Sequence, residues 1–255
     1  MMRMGMWTMV WMGMVGAQGA AAKTQLAEVT EPQHAEVTET AGAEVTGTES
    51  AQVMDTAGVE LKQLFTAMPD SLCPMLTQVN RADFIDFIES KMKAEVSNRL
   101  GGKSQMTELA PTYLRIRLTE STDWQMKLLP TAQGDTLICV VTTVELPTAD
   151  SHIEFYTTSW RPLPASVYLS KRPETRDFVA SADSLKDAYG RPLSALSRAD
   201  MHLVRWTLAP DNNDLTALLT TPDYMEMEQA EKLRPHLKGA LRYRWSGTAF
   251  LPEGE

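Results

Sequence analysis

The spacing of apolar residues changes from helical to alternating at Gly101–Gly102, and this change restricts the fold more than any other feature. Before it, apolar residues recur every three or four positions in residues 60–65 and 81–92, with Asn80 as the expected N-cap of the second stretch. After it, apolar and polar residues alternate, as in residues 113–118, which is typical of a strand. The sequence therefore predicts an α+β fold, in which N-terminal helices pack on a mostly antiparallel β-sheet.

The segments after this first strand have strand character as well. Residues 123–129 and 135–144 flank a turn that contains Pro130 and Gly134, so we expect them to form a hairpin. Residues 137–141 are continuously apolar, which favours a strand buried on both faces. Other strands are expected over residues 151–160, 201–208, 214–221 and 241–245. Short helices are expected over residues 71–76, 184–189 and part of 223–237, and a loop or edge strand over the proline-bearing residues 161–183.

Two parts of the strand region resemble each other. Residues 135–143 are similar to residues 213–221, and residues 153–156 are similar to residues 241–244. One interpretation is a duplicated hairpin-plus-strand unit. The other is chance similarity between segments that share β patterning.

The first 22 residues have the composition of a secretory signal. Arg3 precedes an uncharged apolar stretch over residues 4–15, and small residues dominate positions 16–22. This order predicts a signal peptide over residues 1–22, with an uncleaved membrane anchor as the alternative. No later stretch is long and uncharged enough to span a bilayer, so we expect an exported chain without a transmembrane segment in its mature form.

Residues 23–55 are expected to be a disordered acidic linker. They hold one lysine against seven acidic residues and no aromatic residue, so they cannot bury enough apolar area to offset the entropy of folding. A docking tail or a spacer is the functional alternative. The segment repeats Ala-Glu-Val-Thr three times, at residues 27–30, 35–38 and 43–46. The remaining residues 56–255 are expected to form a single α+β domain, with halves at 56–163 and 164–255 if the unit is duplicated.

Charge and motifs exclude several classes of function. The chain has 24 basic and 33 acidic residues, a net charge of −9, so it has no excess of positive charge to bind nucleic acid. It has no Gly-x-Ser-x-Gly sequence, Walker loop or dinucleotide glycine fingerprint, and we predict no cofactor. The histidines form no i, i+4 pair, so no metal site is predicted; they are His34, His152, His202 and His236.

Two cysteines and one acidic helix face were considered as reactive groups. Cys73 and Cys139 are either one disulfide or two buried thiols, since export permits the bond and Cys139 lies in an apolar strand. A cysteine nucleophile needs a histidine partner, and His152 stays open for that role. The carboxylates of Asp83, Asp86 and Glu89 recur on one helix face, which is more typical of a solvated face than of a catalytic set.

Four tryptophans lie in or beside the predicted strands of the body. They are Trp124, Trp160, Trp206 and Trp245. Strand-borne tryptophans more often anchor a core or a sheet face, and the functional alternative is a platform that binds a sugar or a peptide.

Several strings in the body resemble a known family. These are Met68–Leu76, Asn80–Phe87, Trp124–Pro130 and Phe155–Trp160. They resemble an uncharacterised family of exported proteins from bacteria of the Bacteroidales order, a domain of unknown function. The resemblance covers about residues 58–250 and leaves out the acidic linker. It implies a periplasmic or extracellular location in a Gram-negative bacterium, and it brings no catalytic residues.

Three functions remain open on this sequence, and it favours the first. The first is noncatalytic binding of a peptide, protein or lipid partner in the cell envelope, through a sheet face, a sheet edge or a helix–sheet cradle that holds an apolar ligand. The second is an envelope hydrolase whose active site is not visible in the sequence. The third is an inhibitor or assembly factor that acts by surface contact.

Overall fold

A computed structural model describes residues 60–169, 171–180 and 201–254 of the chain. The predicted signal peptide, the predicted linker and the helix expected at residues 184–189 lie outside these ranges. No helix within them is both long and apolar enough to cross a membrane.

The helical region begins as the apolar spacing predicts, although the second helix starts earlier. Residues 60–67 are helical (α1), and α2 spans Gln78–Glu89. Thr77, rather than Asn80, is the N-cap of α2: the Thr77 hydroxyl accepts from the Asn80 backbone N–H, and the Asn80 side-chain oxygen accepts from the Thr77 N–H, both at 3.1 Å. This reciprocal pair is a capping box, so Asn80 contributes to the N-terminal cap from within the first turn of the helix. Residues 70–76 form turns instead of the expected helix, and Pro74 lies among them.

The first β-sheet contains seven strands, which are antiparallel neighbours in chain order. They are β1 Glu95–Ser97, β2 Lys103–Ala110, β3 Tyr113–Thr119, β4 Thr122–Pro130, β5 Thr136–Val144, β6 Asp150–Thr157 and β7 Pro162–Leu163. Every connection is local, so the sheet is a meander. The expected hairpin is confirmed, since Pro130 of β4 pairs with Thr136 of β5.

The second β-sheet contains four strands in the order β11-β10-β9-β8. They are β8 Val204–Leu208, β9 Asp214–Leu219, β10 Leu241–Trp245 and β11 Phe250–Pro252. The remaining helices are short: α3 Ala165–Tyr168, α4 Thr221–Tyr224, α5 Met227–Leu233, and 3₁₀ turns at Thr175–Phe178 and Arg234–His236. Helices with antiparallel sheets confirm the predicted α+β class.

The first sheet is buried on both faces. Along β4, Trp124, Met126 and Leu128 belong to a core that includes Leu61 and Phe65 of α1. Since side chains alternate along a strand, the residues between them point to the opposite face, where Leu129 packs in a second core with the inner side of the second sheet. This explains why residues 137–141 are continuously apolar, as predicted.

Strand β8, at the edge of the second sheet, is held to the first sheet by side chains. Its backbone N–H groups at Val204, Trp206 and Leu208 donate to Asp150 Oδ1 (3.2 Å), Ser151 Oγ (3.0 Å) and Gln125 Oε1 (3.0 Å). A buried edge strand needs partners for these groups because an unpaired N–H is costly away from water. Polar side chains of β4 and β6 therefore supply the hydrogen-bond acceptors that a neighbouring strand would otherwise provide.

Three strands were not expected from the sequence: β1, β2 and β11. Strand β2 is mostly polar, and only its Ser104 and Met106 side chains are fully buried. Its sequence therefore lacks the alternation of apolar and polar residues that predicts a strand. Strands β1 and β11 have three residues each, too few to establish a period.

The two similar sequence segments lie in comparable places with different pairing. Strands β4–β6 and β8–β10 are both three-stranded meanders. Cys139 of β5 pairs with Phe155 of β6, whereas Ala217, which aligns with Cys139, pairs with Leu241, which aligns with Ile153. The registers thus differ by two residues, and the duplication stays a prediction. The first sheet ends at Leu163 and the second begins at Val204, whereas the predicted halves, 56–163 and 164–255, meet at residues 163 and 164 and stay a prediction.

Candidate functional site

Two of the four tryptophans lie in the core beneath the helices. Trp124 packs against Phe65, with 5.9 Å between ring centroids. Trp160 donates its indole N–H to the Leu64 carbonyl oxygen at 3.1 Å, and its backbone has a φ of 59°, a left-handed value that is uncommon for a bulky residue. Both rings are almost fully buried.

The other two tryptophans lie between the sheets. Trp206 contacts Tyr243 edge-on at 5.4 Å, and Trp245 contacts Phe250 at 5.1 Å. The Trp245 indole also donates to the Pro130 carbonyl oxygen at 2.6 Å. All four rings therefore act as core anchors, and they do not form an exposed binding platform.

The cysteines are two separate buried thiols, not a disulfide. Cys73 belongs to the core beneath the helices, and Cys139 to the core between the sheets, so the first sheet separates them. Burial raises the pKa of both thiols. His152 pairs with Thr142, on the face opposite Cys139, and its side chain is exposed, so the structure does not bring these two residues together.

The acidic face of α2 shows ordinary surface contacts. Glu89 forms an ion pair with Lys62 of α1 at 2.8 Å, and Asp86 is exposed. No group of three or more metal-ligating side chains occurs among the residues that the structure describes. The groove between α1 and α2, about 520 Å³, mixes Ile85 and Ala67 with polar residues such as Gln63, and it is not the expected apolar cradle between helix and sheet.

A second cleft, about 480 Å³ in volume, lies at the end of the sheets where three chain segments meet. We call it the Thr-rich cleft. Its lining residues are Thr131, Gln133, Asp135, Thr136, Leu137, Thr157, Thr158, Leu163, Tyr168, Gly247 and Thr248. Five of the eleven are threonines, and no histidine, cysteine, lysine or arginine is among them.

Backbone hydrogen bonds fix the turns that form this cleft. In the β4–β5 turn, the Thr131 hydroxyl accepts from the Asp135 N–H at 3.0 Å, and Gly134 adopts a φ of 87°. The Ala132 N–H then donates to the Gly247 carbonyl oxygen at 2.9 Å, which binds this turn to the β10–β11 turn. A Cβ at position 247 would lie 3.3 Å from the Ala132 backbone nitrogen, and Gly247 has a φ of 88°, so glycine is required at this contact.

The floor of the Thr-rich cleft is apolar. Tyr168 of α3 packs against Phe155 of β6 at 5.1 Å and against Trp245 of β10 at 6.4 Å between ring centroids. The Tyr168 ring is half-buried, so one part rests on the core and another part borders the cleft. The floor therefore presents an aromatic surface that is packed on the core.

Several polar side chains of the cleft are available to a ligand. The hydroxyls of Thr157 and Thr248 already bond to Ser159 (2.9 Å) and Ser246 (3.0 Å). In contrast, the side chains that form no hydrogen bond or ion pair within the described residues are those of Gln133, Asp135, Thr136 and Thr158. These four groups combine donors and acceptors without a positive charge.

Sequence reasoning did not find this cleft. Its threonines stand at strand ends and turns, where their type is common, and its two turns are more than a hundred residues apart in the chain. The one local signal is the turn with Pro130 and Gly134, which predicts the hairpin and says nothing of what its tip contacts.

The chain is similar to proteins of unknown function. No curated protein matches it. A solved structure does match, with 26% sequence identity and a TM-score of 0.67 over 77% of this chain and 98% of the other: a domain of an uncharacterised protein from Porphyromonas gingivalis W83. This supports the resemblance to proteins of Bacteroidales. A family described as "Protein of unknown function (DUF3256)" matches residues 53–250, and the chain therefore belongs to the DUF3256 family.

Proposed function

We propose that this protein is a noncatalytic binding protein whose Thr-rich cleft holds a neutral carbohydrate. The observation that carries the proposal is the lining itself, with five threonines, a glutamine and one carboxylate over an apolar floor. The volume of about 480 Å³ lies within the range of about 300–1,000 Å³ that is usual for ligand pockets.

The chemistry of the free side chains favours a polyhydroxylated ligand. A threonine hydroxyl donates one hydrogen bond and accepts others, as a sugar hydroxyl does, so Thr136 and Thr158 complement such groups in either direction. The Asp135 carboxylate only accepts, and its two oxygens suit two neighbouring ligand hydroxyls. The half-buried Tyr168 ring offers an apolar surface to the C–H face of a sugar ring.

A peptide or a lipid fits this cleft less well. Peptides that bind by strand addition need a free sheet edge, and the edge strand here is β7, which has only two residues, one of them Pro162. A lipid chain needs a mainly apolar lining, whereas most of the residues here are polar.

The lining also favours binding over hydrolysis. Glycoside hydrolases generally use two carboxylates across the bond they cleave. Asp135 is the single carboxylate among the residues that line this cleft. We therefore rank the envelope hydrolase below the binding protein.

We test the proposal by NMR with defined neutral probes. Titration of the ¹⁵N-labelled chain with maltotriose, tri-N-acetylglucosamine and xylotriose should shift the amide signals of Thr136, Thr158 and Gly247 in a saturable way for at least one probe. Asp135→Asn should weaken that binding about tenfold, because a charge-assisted hydrogen bond is lost. Asp86→Asn, an exposed carboxylate on α2, is the matched control and should leave the affinity unchanged.

Three outcomes would count against this function. Saturable binding of an uncharged peptide instead of any sugar would move the cleft to peptide recognition. Release of shorter sugars from a probe would favour the hydrolase. Equal effects of Asp135→Asn and Asp86→Asn would place the binding outside the cleft.

We also propose that the protein acts after export, in the periplasm or outside a Gram-negative cell. The support is the order of Arg3, the apolar stretch and the small residues in positions 1–22. N-terminal sequencing of protein recovered from the producing cells should show a start between residues 20 and 23. An intact Met1 in the recovered protein would contradict cleavage.

A further inference from the structure

A second hollow, about 260 Å³, lies near the start of β6, away from the Thr-rich cleft. We call it the Arg–His cleft. Its lining residues are Asp150, Ser151, His152, Arg172, Pro173, His202, Val204 and Trp206. It is thus formed where β8 crosses the start of β6, together with the chain just before the 3₁₀ turn Thr175–Phe178.

Three basic residues line this small space: Arg172, His152 and His202. Arginine is positively charged at all ordinary pH values, and each imidazole keeps at least one N–H donor in either protonation state. The chain as a whole carries a net charge of −9, so a cluster of basic residues is unusual for its composition.

Among the described residues, the carboxylates near Arg172 in sequence have other partners. Glu174 forms an ion pair with Arg176 at 2.9 Å, and the Asp177 carboxylate accepts from the Glu174 N–H at 2.8 Å. Within the described residues Arg172 itself forms no ion pair or hydrogen bond. A free guanidinium at a hollow presents a planar fork of donors that matches an oxyanion.

The wall of the Arg–His cleft is preorganised by contacts between the sheets. Asp150, its one carboxylate, accepts from the Val204 N–H at 3.2 Å, and Ser151 accepts from the Trp206 N–H at 3.0 Å. His202 shares a hydrogen bond between Nδ1 and the Thr175 hydroxyl at 3.1 Å, which orients its ring and leaves Nε2 free of this contact. The buried side chains of Val204 and Trp206 form an apolar back wall, beside which a charge interaction is stronger than in water.

We propose that the Arg–His cleft binds the oxyanion group of a small molecule, a phosphate or a carboxylate. Arg172 is the main contact, and His152 and His202 donate from the sides. The volume is below the usual range for whole ligand pockets, which suits a single acidic group rather than a large ligand. This site is independent of the carbohydrate proposal, since the two clefts share no lining residue.

The test is an NMR titration of the full chain with sodium phosphate and with sodium acetate, against sodium chloride at matched ionic strength. We expect saturable shifts of the Trp206 amide and the His202 ring with phosphate or acetate, and not with chloride. If phosphate binds more tightly than acetate, the natural ligand carries a phosphate group; if acetate binds more tightly, it carries a carboxylate.

Two variants test whether the probe binds in the Arg–His cleft. Arg172→Gln should weaken binding about tenfold or more, because it removes a charged donor. Arg176→Gln is the matched control, an exposed arginine four residues away that pairs with Glu174 and lines no part of the cleft. Both side chains are exposed, so both variants should keep the melting temperature of the parent chain. Non-saturable shifts that chloride reproduces, or equal losses in the two variants, would overturn the proposal.

Discussion

The ammonium group of Lys127 in β4 donates a hydrogen bond to the carbonyl oxygen of Ala209, 3.0 Å away, just after the end of β8. A second bond goes to the Pro210 carbonyl oxygen at 2.9 Å. The Lys127 side chain is almost fully buried between the sheets, 5.8 Å from the Tyr113 ring centroid. A buried lysine thus occupies a position between the two sheets where an apolar residue would be usual.

The pKa of Lys127 gives this contact a pH dependence. Burial lowers the pKa to about 8 from the usual 10.5, because it disfavours the charged form, while Asp211 acts in the opposite direction. Between pH 8 and pH 10.5 the unfolded chain holds a proton that the native chain has lost, so this residue makes the folded state more stable as pH rises through that window.

We therefore expect the free energy of unfolding of the parent chain, relative to Lys127→Met, to increase from pH 8 to pH 10.5. The slope is at most about 1.4 kcal/mol per pH unit, the value for one proton. Urea unfolding at four pH values measures it. Lys103→Met, at an exposed lysine, should show no such increase, and a pH-independent difference for Lys127→Met would contradict the assignment.

A substitution of Ser151 tests whether side chains supply the hydrogen-bond acceptors for the N–H groups of β8. Its hydroxyl accepts from the Trp206 N–H and lies 2.8 Å from the Thr143 hydroxyl. Ser151→Ala leaves that buried N–H without an acceptor, so we expect a loss of about 1–3 kcal/mol in the free energy of unfolding. Ser159→Ala, at an exposed serine bonded to Thr157, should change it by less than about 0.5 kcal/mol. Equal effects of the two variants would mean that water satisfies the Trp206 N–H.

The sequence predicts what depends on local periodicity and misses what depends on distant contacts. The helix over residues 60–67 and strands such as Tyr113–Thr119 follow from apolar spacing, because that spacing reflects burial of one or both faces. The crossing of β8 over the first sheet joins residues such as Gln125 and Leu208, 83 positions apart, and leaves no local pattern. The same holds for both clefts, whose walls come from separate segments.

Buried charge is the other feature that the sequence does not reveal. Lys127 lies in a strand in which about half of the residues are polar, and Arg81 lies in the first turns of α2, whose charged residues suggest a solvated face. Both are almost fully buried, because their long side chains reach carbonyl oxygens that need donors. For the tryptophans, composition left a core role and a binding role open, and only their neighbours in space decide between them.

Arg81 provides a third prediction. Its guanidinium donates to the carbonyl oxygens of Leu76 (2.9 Å) and Met68 and to Asp70 Oδ1 (3.0 Å), so it holds the turns between α1 and α2 in place. The hydrogen bond from Arg81 is also the largest cause that lowers the pKa of Asp70, against a smaller opposing effect of burial. Arg81→Met should reduce the free energy of unfolding by about 3 kcal/mol, since carbonyl groups lose their donor.

The matched control for Arg81 is Arg99, which contacts the other oxygen of the same carboxylate at 2.5 Å from an exposed position. Arg99→Met should cost less than about 1 kcal/mol, as exposed ion pairs do. Urea unfolding of both variants makes the comparison. If the two substitutions cost the same, the carbonyl contacts of Arg81 contribute little, and the pairing with Asp70 alone explains its burial.

The cysteines give a prediction that a single reagent can check. Cys73 and Cys139 are free, buried, and separated by the first sheet, so the native protein should react slowly with a thiol reagent such as 5,5′-dithiobis(2-nitrobenzoic acid). Their raised pKa values slow the reaction further, because the thiolate is the reactive form. In 6 M guanidinium chloride without reductant, both thiols should react. A denatured chain that shows no thiol until a reductant is added would mean that the two residues are bonded in the native protein, and that the first sheet does not separate them.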